Sequence, residues 1–331
     1  MLNQRLPISA ALALFLLACV GDPATAQSGL APYPVRPIKM IVPFTAGGPV
    51  DVAARIVGQH LPSILGQAVV IENRAGAAGS LGAKLVANAQ PDGYTLLWGN
   101  ISTLVVTPIV TNNRDYDSAR EFTPIAKVSQ NHEVLVVQSI FAAKSVAELV
   151  AYAKANPGKL NYGSSGHGNA THLAAELFKL RTGIDIVHVP YKGAADALTA
   201  LLGGQVQMFF GDIAGVLEFL KQGTLRALAV SSEQRNTLVP DVPTMRESGV
   251  PDYVVSTYIG VVAPTGTPAS VVDLLNAAIN ASQRAPMVAA AFAELGAEVH
   301  RASPQEFALF LTAERQKWTA VASAAHIEVK R

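Results

Sequence analysis

Ile38-Lys39-Met40-Ile41-Val42, then Pro43-Phe44-Thr45-Ala46-Gly47-Gly48-Pro49-Val50-Asp51, then an amphipathic run to about Leu61: strand, glycine-rich turn and helix follow one another without a break. The layout recurs at Leu160-Asn161-Tyr162, Gly163-Ser164-Ser165-Gly166-His167-Gly168-Asn169-Ala170-Thr171 and a helix to about Leu180. Such a unit aims unpaired backbone N–H groups and the positive end of a helix at one point, which suits an anion. Two of them, one per lobe, predict a cleft that closes on a small acid. Gly47 and Gly48 permit positive φ and close backbone approach. Pro49 suits the first helical position. Asp51 then falls in the first helical turn, as a plain helix start or as the residue that shapes the loop around ligand-binding N–H groups. In the second turn Ser164, Ser165, Asn169 and Thr171 carry short donor side chains, and Asn169 or Thr171 can equally cap the helix.

Working outward, short apolar segments alternate with helices. Val69–Glu72, Tyr94–Trp98, Val134–Val137, Ile186–Val189, Val206–Phe210, Leu225–Val230 and Val254–Val262 read as strands. Helices are predicted near 81–89 and 146–155, and two more close the chain near 270–282 and 304–322. The alternation indicates a parallel-rich α/β fold. The expected architecture has two lobes, each a sheet flanked by helices, with a hinge between them. Lobe 1 takes 34–130 plus 255–331 and lobe 2 takes 131–254, with crossings near Gln130 and Ser256.

The N-terminus sets the compartment. Arg5, the apolar run Ile8–Val20 and Ala24-Thr25-Ala26 read as a signal peptide over 1–26. Leu16-Leu17-Ala18-Cys19 also resembles a lipoprotein box, so a lipid anchor on Cys19 is the competing reading. The mature chain is expected to be exported to the periplasm. Cys19 is the only cysteine, which removes disulfides and thiol chemistry from the mature protein. Half of the residues are hydrophobic, 15% are charged and the formal net charge is +1. That balance argues against a nucleic-acid partner and leaves any anion to local groups.

Other chemistries are weakly signalled. Gly166-His167-Gly168-Asn169-Ala170-Thr171 lacks the third glycine of a dinucleotide fingerprint, and no phosphate-loop lysine pattern occurs. His167 and His172 are badly spaced for a shared metal, so no metal and no cofactor is expected. Gly163-Ser164-Ser165-Gly166-His167 misses a nucleophile elbow by one displaced glycine, with His172 and Asp212 as conceivable partners of Ser165. A serine hydrolase is therefore the rival reading, and a ligand-sensing subunit for a signalling partner is another.

Several motifs occur in a specific order: Pro43-Phe44-Thr45-Ala46-Gly47-Gly48 with Asp51, Glu72-Asn73-Arg74-Ala75-Gly76, Pro91-Asp92-Gly93-Tyr94, and Asn156-Pro157-Gly158-Lys159-Leu160. Ser164-Ser165-Gly166, His188-Val189-Pro190-Tyr191-Lys192-Gly193, Leu225–Val230 and Pro240-Asp241-Val242-Pro243-Thr244 continue the series. With these the whole mature chain resembles the substrate-binding receptors of tripartite tricarboxylate transporters, the Bug receptors. The resemblance implies a monomeric, non-enzymatic, hinge-closing receptor that passes a small organic carboxylate to a membrane permease. It implies first-lobe contacts from Phe44, Thr45, Ala46, Gly47, Gly48 and Asp51. Second-lobe contacts would come from Ser164, Ser165, Gly166, His167, Gly168, Asn169 and Thr171, with Tyr191, Gly193 and Asp212 near the cleft. The chain departs from the family pattern at Thr45, Pro49-Val50 and Asn169-Ala170, which bears on which acid binds more than on how it binds.

Overall fold

The computed structural model describes residues 33–112, 114–166, 168–325 and 327, so the proposed leader and Cys19 lie outside the described residues. The chain begins with β1 (Ile38–Val42), α1 (Pro49–His60), the single turn α2 (Pro62–Leu65), β2 (Val69–Asn73), α3 (Ser80–Ala87) and β3 (Thr95–Asn100). A π-helical turn over Ser102–Val106 and α4 (Thr107–Val110) lead to the long β4 (Phe122–Gln138). Next come α5 (Val146–Ala155), β5 (Asn161–Ser164), α6 (Ala170–Thr182), β6 (Val187–Pro190), α7 (Ala194–Leu202), β7 (Met208–Asp212), α8 (Ile213–Lys221) and β8 (Leu225–Val230). The chain returns through β9 (Ser256–Pro264), α9 (Ala269–Ser282), α10 (Pro286–Glu294), β10 (Glu298–Val299) and α11 (Pro304–Ala324). Pro34–Arg331 make up one compact unit.

The strand order is β2-β1-β3-β9-β4-β7-β5-β6, with β8 and β10 also paired to β4. Pairing is parallel among β1, β2 and β3 and among β5, β6 and β7. It is antiparallel wherever β4 or β9 takes part. The parallel-rich expectation therefore holds on the two flanks, while the strands between them run the other way. β4 carries the join. From Phe122 to His132 it pairs with β9, and from Glu133 to Val137 with β7. Its partner changes between two adjacent residues, which divides the strands into a first half (β1, β2, β3, β9, β10) and a second half (β5 to β8).

The sequence pattern shows only the end of β4. Lys127-Val128-Ser129-Gln130-Asn131-His132-Glu133 is too polar to read as a strand, yet Lys127, Ser129, His132 and Glu133 are buried. β9 pairs along the stretch to His132, β10 pairs opposite Ser129 and Gln130, and β7 takes over at Glu133. The C-terminal expectation of two helices also missed α10 and the short β10 between them.

Apolar residues at helical spacing bury the face of α6: Leu173, Leu177 and Phe178 are all at most 1% exposed, each worth roughly 1.5–3 kcal/mol on burial. They join a core that includes Ile41 and Leu97 of the first half and Trp318 of α11. Helix α11 begins on the first half, where Phe307 lies over Gly260 so closely that a Cβ there would sit 2.2 Å from its ring. It ends against α6 of the second. A capping box starts it, with Ser303 and Glu306 bonding each other's backbone N–H.

Candidate functional site

The first turn is built around one carboxylate. Asp51 is 1% exposed. Its Oδ2 accepts from the Gly47 N–H and from Arg55 Nε, both at 2.8 Å, and its Oδ1 accepts from Asn73 Nδ2 at 2.8 Å. The same Asn73 nitrogen donates to the Phe44 carbonyl at 3.0 Å, and an Arg55 terminal nitrogen donates to Asn73 Oδ1 at 2.9 Å. Asn73 can do this because it ends β2 directly beside Val42, the last residue of β1. The Arg55 hydrogen bond, with those from Gly47 and Asn73, overrides burial and holds Asp51 down to about 2. Asp51 stands in the first turn of α1 and at the same time holds the loop backbone through Gly47. Gly47 has φ +80 and Gly48 is the extended N-cap ahead of Pro49. Thr45 and Ala46 are exposed. Among the described residues, no partner is found for their N–H groups. Phe44 is half-buried and reaches the 77–79 turn, where a Cβ on Gly79 would lie 3.5 Å from its ring and 2.2 Å from Thr103 Cγ2.

The second turn is held by neutral groups. Ser164 is 0% exposed. Its Oγ lies 2.5 Å from His188 Nε2 and accepts the Gly166 N–H at 3.2 Å. The Ser165 N–H donates to Thr171 Oγ1 at 2.8 Å, and the two hydroxyls are 2.9 Å apart. The Gly168 N–H donates to His172 Nδ1 at 2.9 Å, which leaves that nitrogen without a proton. Asn169 is the N-cap of α6, its Oδ1 accepting from the Ala170 N–H at 2.6 Å. Behind the turn the His172 and His188 rings stack at 3.9 Å between centroids, and Tyr162 stacks on His188 at 4.9 Å. The Tyr162 hydroxyl donates to Glu176 Oε1 at 2.6 Å, and Lys179 reaches the same oxygen at 3.0 Å. Burial and this carboxylate push the Tyr162 phenol far above its ordinary range. His167 lies outside the described residues.

The remaining candidates surround the second turn. The Tyr191 N–H donates to the Ser164 carbonyl at 3.0 Å, and its carbonyl faces Gly166. Gly193 is the N-cap of α7. Asp212 occupies the N-cap of α8 but makes no capping hydrogen bond, so capping does not account for it. Directly across the ladder from Asp212 stands Glu133, 1% exposed. Both oxygens of its carboxyl lack a partner among the described residues. Burial, with the Asp212 charge added, raises Glu133 well above the carboxylate range, while Asp212 itself is exposed at the end of β7. Gly168 faces Val110 of α4, a Cβ there meeting Val110 Cγ1 at 3.9 Å. A packed path therefore links the first turn, the 77–79 turn, Thr103, α4 and the second turn.

Sequence reasoning did not single out Asn73, Arg55, Glu133 or His188. Arg55 stands one helical turn beyond Asp51, a spacing that pairs charges. Asn73 and His188 lie inside quoted motifs, but nothing local assigns them a task. The hydrolase arrangement is not assembled: Ser164 is buried, Ser165 bonds Thr171, and His172 Nδ1 is taken by Gly168. Among the described residues no group of three or more histidine, cysteine or acidic side chains is placed to hold a metal. The geometry offers two shaped backbone turns, with the Ser164–His188 contact at the base of the second.

The chain resembles known proteins over most of its length. Residues 53–327 match the model of the tripartite tricarboxylate transporter family receptor, TctC. BugT of Bordetella pertussis is 41% identical over 290 residues, 87% of this chain and 89% of that one. Among solved structures, Rpa4515 of R. palustris with adipate is 36% identical with TM-score 0.75, covering 90% of this chain and 99% of that one. MatC from Rhodopseudomonas palustris with bound malate is 33% identical with TM-score 0.72, covering 87% and 99%. Motif order, strand topology and two shaped turns thus converge on one conclusion: this chain belongs to the tripartite tricarboxylate transporter receptor family.

Proposed function

We propose that the protein is an exported solute-binding receptor that captures a small organic carboxylate between two lobes and hands it to a tripartite permease. The observation that carries this reading is the first turn, where Asp51, Asn73 and Arg55 are spent on one another and on the backbone while the exposed N–H groups of Thr45 and Ala46 are left to a ligand. Ser165, Thr171 and the start of α6 supply the opposing wall, and Tyr191, Gly193 and Asp212 its margin. Hydrogen bonds to a charged group are worth roughly 1.5–3 kcal/mol each, and micromolar binding needs about 8 kcal/mol. Four or five such bonds suffice after the cost of ordering the ligand, with no buried guanidinium required. Adipate and malate, bound by two relatives, are both dicarboxylates, so a four- to six-carbon diacid is the first class to try.

The lobes follow the proposed division, 34–130 with 255–331 against 131–254. The partner change of β4 at His132 and Glu133 and the start of β9 at Ser256 support a hinge there. The receptor works as a monomer outside the cytoplasm after loss of residues 1–26. A thermal-shift screen of the purified protein over mono-, di- and tricarboxylates tests the reading. A folded-state ligand raises the melting temperature with its concentration. At least one small acid is expected to do so in wild type and to lose most of its effect in Thr45→Pro, which removes one of the two N–H donors. A flat response across all acids overturns the proposal.

A further inference from the structure

At the end of β7 two carboxyl groups stand opposite each other in the ladder and hold neither turn: Asp212 on β7 and Glu133 on β4. Opposed residues of an antiparallel pair project to one face of the sheet. Along these two strands that face also carries Leu135, Val137, Met208 and Phe210, which share a core with Leu173 and Leu177 of α6. Both carboxyls therefore belong to the side covered by α6, the helix that the second turn opens. β7 runs parallel to β5, with Tyr162 beside Met208 and Gly163 beside Phe209. Carried three residues on, that register sets Asp212 level with Gly166 of the turn.

Neither carboxyl has a donor. Glu133 is 1% exposed, and both of its oxygens lack a partner among the described residues. The hydroxyls around it are already committed. Ser231 accepts from the Glu133 N–H at 2.8 Å and donates to the Val255 carbonyl at 2.6 Å. Tyr253, close enough for its phenol to feel the Glu133 charge, donates to the Ala174 carbonyl at 2.9 Å. Asp212 is exposed, makes no capping bond, and its side chain has no hydrogen bond or ion pair among the described residues. A buried polar group without a partner is unfavourable and calls for something that answers it.

We infer that the acid this receptor captures also carries an ammonium group, as a 2-amino diacid does, and that Asp212 is the residue that selects it. The inference rests on the receptor reading above and narrows its ligand class. The turns take the carboxylates, and Asp212 accepts from the ammonium in a charge-assisted hydrogen bond. Burial keeps Glu133 neutral, its carboxyl held well above the ordinary range, so one negative charge and not two faces the ligand. A plain diacid would bring its own charges against Asp212 with no cation paired to that residue, and an ammonium cancels this repulsion. A hydroxyl in the same place donates but brings no charge, so a hydroxy acid ranks between the two.

Calorimetric titration with matched acids tests this at about pH 7.5, where the amine and an exposed aspartate are both charged. The series are succinate, malate and aspartate; glutarate, 2-hydroxyglutarate and glutamate; and adipate with 2-aminoadipate. In at least one of them the amino acid is expected to bind wild type about tenfold or more tightly than the unsubstituted diacid. Asp212→Asn keeps the shape and an acceptor oxygen but removes the charge. It should weaken the amino acid about tenfold while the plain diacid binds as well as before or better. A merely structural role would weaken both alike, and that result overturns the inference. So does any acid without an amine that binds wild type as tightly as the best amine-bearing one. Should the variant fail to fold, the wild-type ranking decides alone. Acids that bind with no preference for an amine sink the inference and leave the receptor reading standing. A protein that binds no organic acid, here or in the thermal screen, sinks the receptor reading and the inference with it.

Discussion

The two turns share one sequence layout and are held in opposite ways. The first is clamped by charge. A buried carboxylate, a half-exposed guanidinium and an amide from the neighbouring strand fix the Gly47 N–H and the Phe44 carbonyl. The second is held by neutral acceptors, an imidazole for Gly168 and hydroxyls for Ser165 and Gly166, backed by a stack of three rings. A strand–turn–helix unit therefore fixes where backbone N–H groups gather but not what steadies them. The charged clamp depends on a single residue, whereas the neutral one spreads its load over several.

The largest effect should come from removing the hub. Asp51→Ala strands Arg55, Asn73 and Gly47 together and is expected to cost about 3 kcal/mol, read as a lowered melting temperature by calorimetry. A loss under about 1 kcal/mol would mean that the charged clamp has no hub. Acid gives the next largest effect. Because Asp51 is held below its ordinary value of 3.8, its contribution is complete above that pH and disappears as pH falls through about 2. The stability gap between wild type and Asp51→Ala should be constant from neutral pH to about 4 and then narrow by on the order of 1–2 kcal/mol, discounted for the half-exposed Arg55. His172→Phe keeps the stack but removes the acceptor for Gly168, at an expected cost of about 1–2 kcal/mol. A loss matching that of Asp51→Ala would erase the contrast between the turns. Gly47→Ala meets open space but must hold φ +80, which costs about 1 kcal/mol and is measurable by urea denaturation. Last, Lys192 is exposed, and Lys192→Ala should stay within about 0.5 kcal/mol of wild type and leave acid binding unchanged. Lost binding would give this receptor a cationic contact beyond its backbone ones.

The helices after both turns were legible because their apolar spacing is regular and their starts carry Pro49 and Asn169. The flanking strands were legible for the same reason, as short apolar runs. The join was not. Lys127 to Glu133 is polar, and only its pairing with distant strands makes it a strand, a tertiary effect with no local sign. The site divided similarly. Gly47, Gly48 and the serine-rich turn announced themselves by residue type. Asn73, Glu133 and His188 act at a distance in sequence of 22 to 24 residues or across a ladder, so their tasks depend on pairing that composition does not encode.

Helix α11 spans both halves, and it bears one of the only two tryptophans. Trp318 is buried, its indole N–H donates to Glu314, and the Lys317 ammonium lies 4.7 Å from its ring centre. That ammonium also donates to the Val254 carbonyl at the returning crossing. A cation beside an indole tunes the colour of its emission, so Trp318 is a native optical reporter on the contact between α11 and the returning crossing, while Trp98 lies buried in β3.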